Sequence, residues 1–218
     1  MTTFYNLESI LKSVGAITDQ DASVPTGSDL TQRIQFANDA LGEWADSYTW
    51  KDLQKTFHIN ATNSSTATVS LPSDFRQPFT SVYNYLENGY LQEYKQIKPQ
   101  ERFNQVLPDK YCYVTGSFEN KVLTFSEMLP SGASLQVDYI SFPQSLTTLT
   151  DNVPITSSQY MVKKVASLIL QGRGSPLFTF MQNDAQRLLS NAIEEENVPF
   201  GRDNRIPYST NGMVIGED

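Results

Sequence analysis

Cysteine and histidine each occur once in the 218 residues, as Cys112 and His58. One cysteine closes no internal disulfide, and the two residues together offer too few soft ligands for a structural zinc site. No metal or other cofactor is therefore expected. Long apolar runs are missing as well, since nowhere do about 18 apolar residues follow one another, the length a membrane helix needs. The opening "MTTFYNLESILKSVG" lacks the basic region and apolar core of a secretory leader. The chain reads as soluble, made in a cytoplasm and without a membrane partner, so the Asn63 sequon "NSS" is a chance match. Positive charge is scarce too: 16 basic residues stand against 24 acidic ones, a formal charge of -8. That balance speaks against gripping nucleic acid by neutralising phosphates. It is compatible with DNA passing close by without adhering, because like charges repel.

Hydrophobic residues make up 39% of the chain, enough for a sizeable core, and their spacing changes along it. In "NLESILKSVG", Leu7, Ile10, Leu11 and Val14 share a helical face, and Gly15 suits a helix stop. Ser28 or Asp29 can cap a second helix in which Leu30, Ile34, Ala37, Leu41, Ala45 and Tyr48 recur near a 3.6 period. That helix ends near Ser47 and is roughly 28 Å long. From Lys51 the period becomes two: Phe57 and Ile59 share a face, with His58 opposite. Asn88-Gly89 marks a hairpin between "FTSVYNYL" and "YLQEYKQI", with Val82 and Leu86 on one face and Tyr83 and Tyr85 on the other. Such a strand is covered by two layers or lies against another subunit. Pro99 opens a short helical excursion, after which strands resume to Ser141, turned at Thr115-Gly116, Glu119-Asn120 and Pro130-Ser131-Gly132. With no helix long enough for parallel crossovers, the strands are predicted to form an antiparallel sandwich or barrel.

Helical spacing returns in "SSQYMVKKVASLILQ", with Val162, Val165, Ala166 and Ile169 on one side and Gly172 and Gly174 ending it. Ser175-Pro176 then starts a helix carrying Phe178, Met181, Ala185, Leu188, Leu189 and Ala192. The predicted fold is α+β: a discontinuous helical bundle from both chain ends (residues 1–52 and 150–199), an inserted antiparallel β domain (53–149) and an extended tail (200–218). The segment "DYISFPQSLTTLTDNVPI" carries the chain back from sheet to helices. Phe142, Leu146 and Leu149 within it pack in their own subunit or against a neighbour.

No catalytic constellation stands out. His58 lies on the solvent face of its strand, without partners for a nucleophile triad. Cys112 shares a face with Val114 and reads as a buried structural residue. "QGRGSP" lacks the lysine and preceding strand of a phosphate loop. Carboxylates in "SEM", "NDAQ" and "EEEN" have no spacing that fixes a glycosidase pair, so an enzyme is not expected. Glu194, Glu195 and Glu196 sit at a helix C-terminus, where the macrodipole disfavours negative charge by about 0.3–1 kcal/mol per exposed group. They form a solvated helix end, or they meet Arg202 and Arg205 of the same tail or of a neighbouring subunit.

The order of elements, with "SLPSDFRQPFTSVYN", "VDYISFPQSLTTLTDNVPI", "QYMVKKVASLIL" and "SPLFTFMQNDAQRLLSNAI", resembles the head-to-tail adaptor, or connector, proteins of tailed bacteriophages. The likeness is closest to the adaptors of short-tailed phages, called tail tubular protein A or gatekeeper. There a strand ending in an aromatic is followed by a proline, a leucine, an Asp/Asn-containing link, a further proline and a helix. The matching residues here are Tyr139, Pro143, Leu146, Asp151 or Asn152, and Pro154. The helix pair is less rich in alanine than the family pattern. The resemblance implies a structural virion protein at the head–tail junction, assembled in the host cytoplasm. It implies a homo-oligomeric ring of twelve subunits that docks on the portal protein, receives tail or nozzle proteins and lines the channel for genomic DNA.

The tail after Phe200 fits an arm that orders on docking to the portal. Extended, it reaches roughly 60 Å, and its Phe200, Ile206, Pro207, Tyr208, Met213, Val214 and Ile215 are too apolar for a simple linker, with Arg202 and Arg205 beside them. Two other classes remain open: a baseplate or receptor-binding β-sandwich module, predicting trimers, and an acidic-pair hydrolase acting on cell wall.

Overall fold

The computed structural model describes residues 5–60, 66–78, 82–85, 91–104, 106–117, 120–129, 133–155 and 158–197. These residues form a mixed α/β fold with four helices and one large sheet that curls into a half-barrel. The helices are α1 (Leu7–Thr18), α2 (Gly27–Ser47), α3 (Ser158–Gly172) and α4 (Leu177–Glu196). No helix among the described residues is long and apolar enough to cross a membrane.

Helix α1 is capped by Asn6, whose side chain accepts the Ser9 N–H at 3.0 Å. It does not stop at Gly15 as the sequence suggested, but continues one turn to Thr18 and ends where Gln20 takes φ 57°. Gly15 serves packing instead. Its carbonyl accepts the Asp19 and Asp21 N–H groups, and a Cβ there would lie 2.5 Å from the Asp21 carbonyl oxygen. Helix α2 starts at Gly27, just before the expected caps, and Thr26 ahead of it makes no side-chain cap bond. Asp29 is turned toward Arg33 instead, at 3.0 Å.

Helix α3 packs against each of the other three helices. The single apolar stripe expected for it is therefore too narrow: Tyr160, Met161, Val162, Val165, Ala166, Ile169 and Leu170 are all buried. Helix α4 leans on α3 and buries only Ala185 and Leu189 fully, while Leu177 and Phe180 near its start are exposed.

Among the described residues ten strands accompany the helices: β1 (Tyr5–Asn6), β2 (Gln54–Asn60), β3 (Thr66–Ser70), β4 (Phe75–Pro78), β5 (Val82–Tyr85), β6 (Leu91–Gln96), β7 (Tyr111–Gly116), β8 (Lys121–Leu129), β9 (Ser134–Ser141) and β10 (Asn152–Val153). The large sheet runs β2-β9-β5-β6-β7-β8-β3, with β4 also paired to β9, and β1 and β10 form a separate ribbon. Strands β5 and β6 pair antiparallel from Val82↔Tyr94 to Tyr85↔Leu91, as a hairpin requires, although the Asn88-Gly89 tip lies outside the described residues.

The sheet is not wholly antiparallel, which corrects the sequence reading. Strands β6 and β7 run parallel, Lys95 opposite Tyr111 and Gln96 opposite Cys112. A parallel pair needs a crossover of about a dozen residues but not a long helix. Residues 97–110, with a 3-10 turn at Pro99–Phe103, supply it.

Two clusters of buried side chains result. One unites residues of all four helices with Trp50, Leu53, Ile140, Leu146, Val153 and Ile155. The other fills the curl of the sheet with Phe75, Val82, Tyr94, Cys112, Leu123, Phe125, Leu135, Val137 and Tyr139, among others. Strand β9 is the seam: Tyr139 belongs to the sheet cluster and Ile140 to the helical one.

Candidate functional site

The groups that most often carry chemistry are placed apart. His58 is exposed on β2, opposite Gln136 of β9. Cys112 is buried on β7, and burial pushes its thiol up to about 12, far from a reactive thiolate. Among the described residues no group of three or more His, Cys, Asp or Glu is arranged to hold a metal ion. Glu127 accepts from Lys110 at 2.5 Å and from the Tyr94 hydroxyl at 2.8 Å. These bonds hold its carboxyl below the usual range, as in an ion pair and unlike a general acid.

A cleft of about 860 Å³ opens between α2 and the sheet. Leu41, Gly42 and Ala45 of α2 line one side, and Phe142, Pro143, Gln144 and Ser145 the other. Asp46, Lys55 and Asp74 stand at its edge. Lys55 Nζ lies 2.6 Å from Asp74, which also accepts the Tyr139 hydroxyl at 3.0 Å. Burial raises the Asp74 pKa, but these two bonds outweigh it and the carboxyl is held low. Burial and the same carboxylate push the Tyr139 hydroxyl up to about 12.

Arg76 of β4 reaches across the junction. Its Nη1 donates to the Ala45 carbonyl at 2.7 Å and its Nη2 lies 2.7 Å from Asp46. A cation from the sheet thus caps the negative end of α2.

The returning segment is held by both early helices. Asn38 of α2 accepts the Leu146 N–H at 2.8 Å and donates to the Leu146 carbonyl at 3.0 Å. The Leu7 and Glu8 N–H groups, which a helix start leaves without intrahelical partners, donate to the Asp151 and Leu149 carbonyls at 2.9 and 3.0 Å. The Asp151 carboxylate accepts from the Thr148 hydroxyl and from the Thr147 and Thr148 amides. Those bonds hold it far below the ordinary carboxylate range.

At the opposite end of the helices, Asp19 joins Arg33 and Arg173, each at 2.7 Å. Burial works against ionisation, but hydrogen bonds from Arg33, Thr18 and Arg173 lower the Asp19 carboxyl to about 2.

The interface residues suggested by sequence are scattered. Leu146 is 3% exposed, inside the helical cluster of its own chain, and Leu149 packs half-buried on the same cluster. Phe142 borders the cleft, with Lys121 Nζ 4.8 Å from its ring centre. Tyr83 is half-buried on β5; the Tyr85 side chain lies outside the described residues. Glu194 and Glu195 are exposed, whereas Glu196 accepts the Lys51 N–H at 2.8 Å and pairs with Lys51 Nζ at 3.7 Å. Glu196 is therefore engaged within its own chain, because the last turn of α4 lies against the segment after α2, where Tyr48 also bonds Asn197. The docking-tail residues Phe200, Arg202, Arg205, Ile206, Pro207, Tyr208, Met213, Val214 and Ile215 lie outside the described residues.

Sequence reasoning missed Asn38, Asp74 and Arg76, whose partners lie far away along the chain. It also missed Asn84, fully buried on β5 with no partner for its amide among the described residues. Gly42 was readable as an anomaly, a glycine inside a helical repeat. Compared with models of protein families and with curated proteins, the sequence matches none.

Proposed function

We propose that this protein is a structural head-to-tail adaptor of a tailed phage virion, without catalytic function. In this reading a discontinuous bundle of the four helices forms the ring, of twelve subunits, and seats it on the portal. The sheet receives tail or nozzle proteins, and residues 200–218 tether the subunit to the portal. The observation that carries it is architectural: early and late helices share one buried cluster while the intervening chain forms a separate sheet core. Together with the motifs at Tyr139, Pro143, Leu146, Asp151 and Pro154, this matches the order that the resemblance implies. The acidic balance suits a lumen that genomic DNA must traverse without sticking.

Mixing the chain with its cognate portal and imaging the complex tests the proposal. A ring at the portal vertex is expected, and deletion of residues 201–218 abolishes its docking. A trimer that ignores the portal refutes it and favours a receptor-binding module. For that second reading one observation speaks: Tyr111 and Tyr113 stack with ring centres 6.4 Å apart on the outer side of β7, a platform of the kind saccharides use.

A further inference from the structure

The turn at Pro99–Phe103 and strand β7 hold four planar groups in successive contact. Phe103 is 77% exposed, and the Arg102 guanidinium carbon lies 4.6 Å from its ring centre and 5.6 Å from that of Tyr113. Tyr113 in turn lies 6.4 Å from Tyr111, with an interplanar angle of 26°. Alternation along β7 sends Cys112 into the sheet cluster and both tyrosines to the outer side, where they are half-exposed. Packing inside the chain does not account for such a row, since the ring at its end stands in water.

The polar groups around the row are equally open. Arg102 Nη1 lies 3.5 Å from the Tyr113 hydroxyl, the outer limit of a hydrogen bond, and among the described residues Arg102 pairs with no carboxylate. Arg33, Arg76, Arg173 and Arg187 all do. A guanidinium lying over rings keeps its N–H donors at its rim, where a ligand can accept from them. Beside the rings, Thr124 stands opposite Tyr113 on β8, Thr115 Oγ1 lies 3.5 Å from Thr124 Oγ1, and Ser126 is exposed.

Charge narrows the choice of ligand. Lys110 is paired with Glu127 at 2.5 Å, and the Glu101 carboxylate accepts the Lys98 N–H at 2.9 Å. Glu93 precedes Lys95 by two residues on β6, and Asp109 precedes Tyr111 by two. With Arg102 included, cations and carboxylates are equal in number, so the patch is neutral on a chain of charge -8. A polyanion finds no surplus of positive charge there.

We propose that the outer side of β7, from Arg102 to Tyr111, binds a neutral saccharide. A pyranose presents C–H groups on its faces, which seat on an aromatic ring, and hydroxyls around its rim, which both donate and accept. Arg102 supplies donors, and the Thr115, Thr124 and Ser126 hydroxyls supply groups of either kind. As the receptor site of a trimer the patch rests on the second reading above; as a sugar site on the sheet it stands by itself.

Cellohexaose, chitohexaose and maltoheptaose are titrated into the full chain and followed by amide chemical shifts. At least one binds in the millimolar range, with shifts confined to β7, β8 and residues 98–104. Tyr111→Ala and Tyr113→Ala each weaken that binding by about tenfold, whereas Tyr113→Phe keeps most of it. Phe180→Ala, at an exposed aromatic of α4, leaves it unchanged. Circular dichroism confirms that every variant is folded.

No shift with any of the three sugars overturns the proposal, as does binding that survives both alanine variants. Oligothymidylate binding through the two tyrosines in place of sugar overturns it as well, because stacked bases would then be the ligand. Docking on the portal is assayed separately. A ring without sugar binding sinks the inference and leaves the adaptor reading standing; sugar binding without a ring does the reverse.

Discussion

Replacing Asn38 with alanine removes the clamp on the segment that returns from the sheet. The side chain makes two hydrogen bonds to the Leu146 backbone, at 2.8 and 3.0 Å, at a residue only 3% exposed. Each bond contributes about 1 kcal/mol, and a buried backbone group left without a partner costs about 1–3 kcal/mol. Partial hydration of the vacated space limits the sum to about 3 kcal/mol. For a chain of this size, that lowers Tm by about 6–12 °C. Thermal and urea denaturation measure the loss, and hydrogen exchange locates it: the Leu146 amide exchanges faster, and the Leu7 and Glu8 amides, bonded to the same segment, follow. Asn183→Ala, at an exposed position of α4, is the control and changes stability by less than about 0.5 kcal/mol. A loss below about 1 kcal/mol for Asn38→Ala, with Leu146 exchange unchanged, refutes the clamp.

The two helix glycines separate by sign. Gly15→Ala is destabilising by about 2 kcal/mol or more, because its Cβ would lie 2.5 Å from the Asp21 carbonyl oxygen. Gly42→Ala, with open space, stabilises the isolated chain by about 0.5–1 kcal/mol in the same denaturation assay. Acid sensitivity follows from Asp19, whose folded carboxyl is lowered from 3.8 to about 2. A depressed carboxyl contributes stability that is present above its unfolded value and lost as pH falls through the folded one. Asp19→Asn therefore removes part of the stability change between about pH 4 and pH 2, seen as a shallower acid denaturation curve. Cys112, with its thiol raised to about 12, is inert to thiol reagents in the native protein and reacts fully once urea unfolds it.

Helical periodicity placed α2, α3 and α4 well, because repeats of Leu41, Ala45, Val165, Ile169, Ala185 and Leu189 are local statements about one face. The errors arose where distant chain decides. Gly15 resembles a stop signal, yet the approach of Asp21 makes it a packing residue within the helix. The parallel β6–β7 pair was missed because a crossover was equated with a long helix, and residues 97–110 do the same with a 3-10 turn. Asn84 alternates with Val82 onto the buried face, an inward polar residue that a pattern of apolar and polar positions cannot anticipate. The cleft was invisible for a geometric reason: its walls come from residues 38–46, 55, 73–74 and 142–145, and no spacing rule joins them.

The chain passes between helices and sheet twice, outward through residues 48–53 and back through 142–155, and Arg76 spans the same gap. Two bodies on one tether swivel freely, whereas two anchored at separate points keep at most one axis of bending. A bond across the gap away from that axis resists even this. Force applied to the sheet is therefore delivered to the helices as thrust and torque without being dissipated in slack. Likewise, a protease that nicks one passage leaves the sheet covalently linked to the helix pair beyond the other passage, and only cutting both frees it.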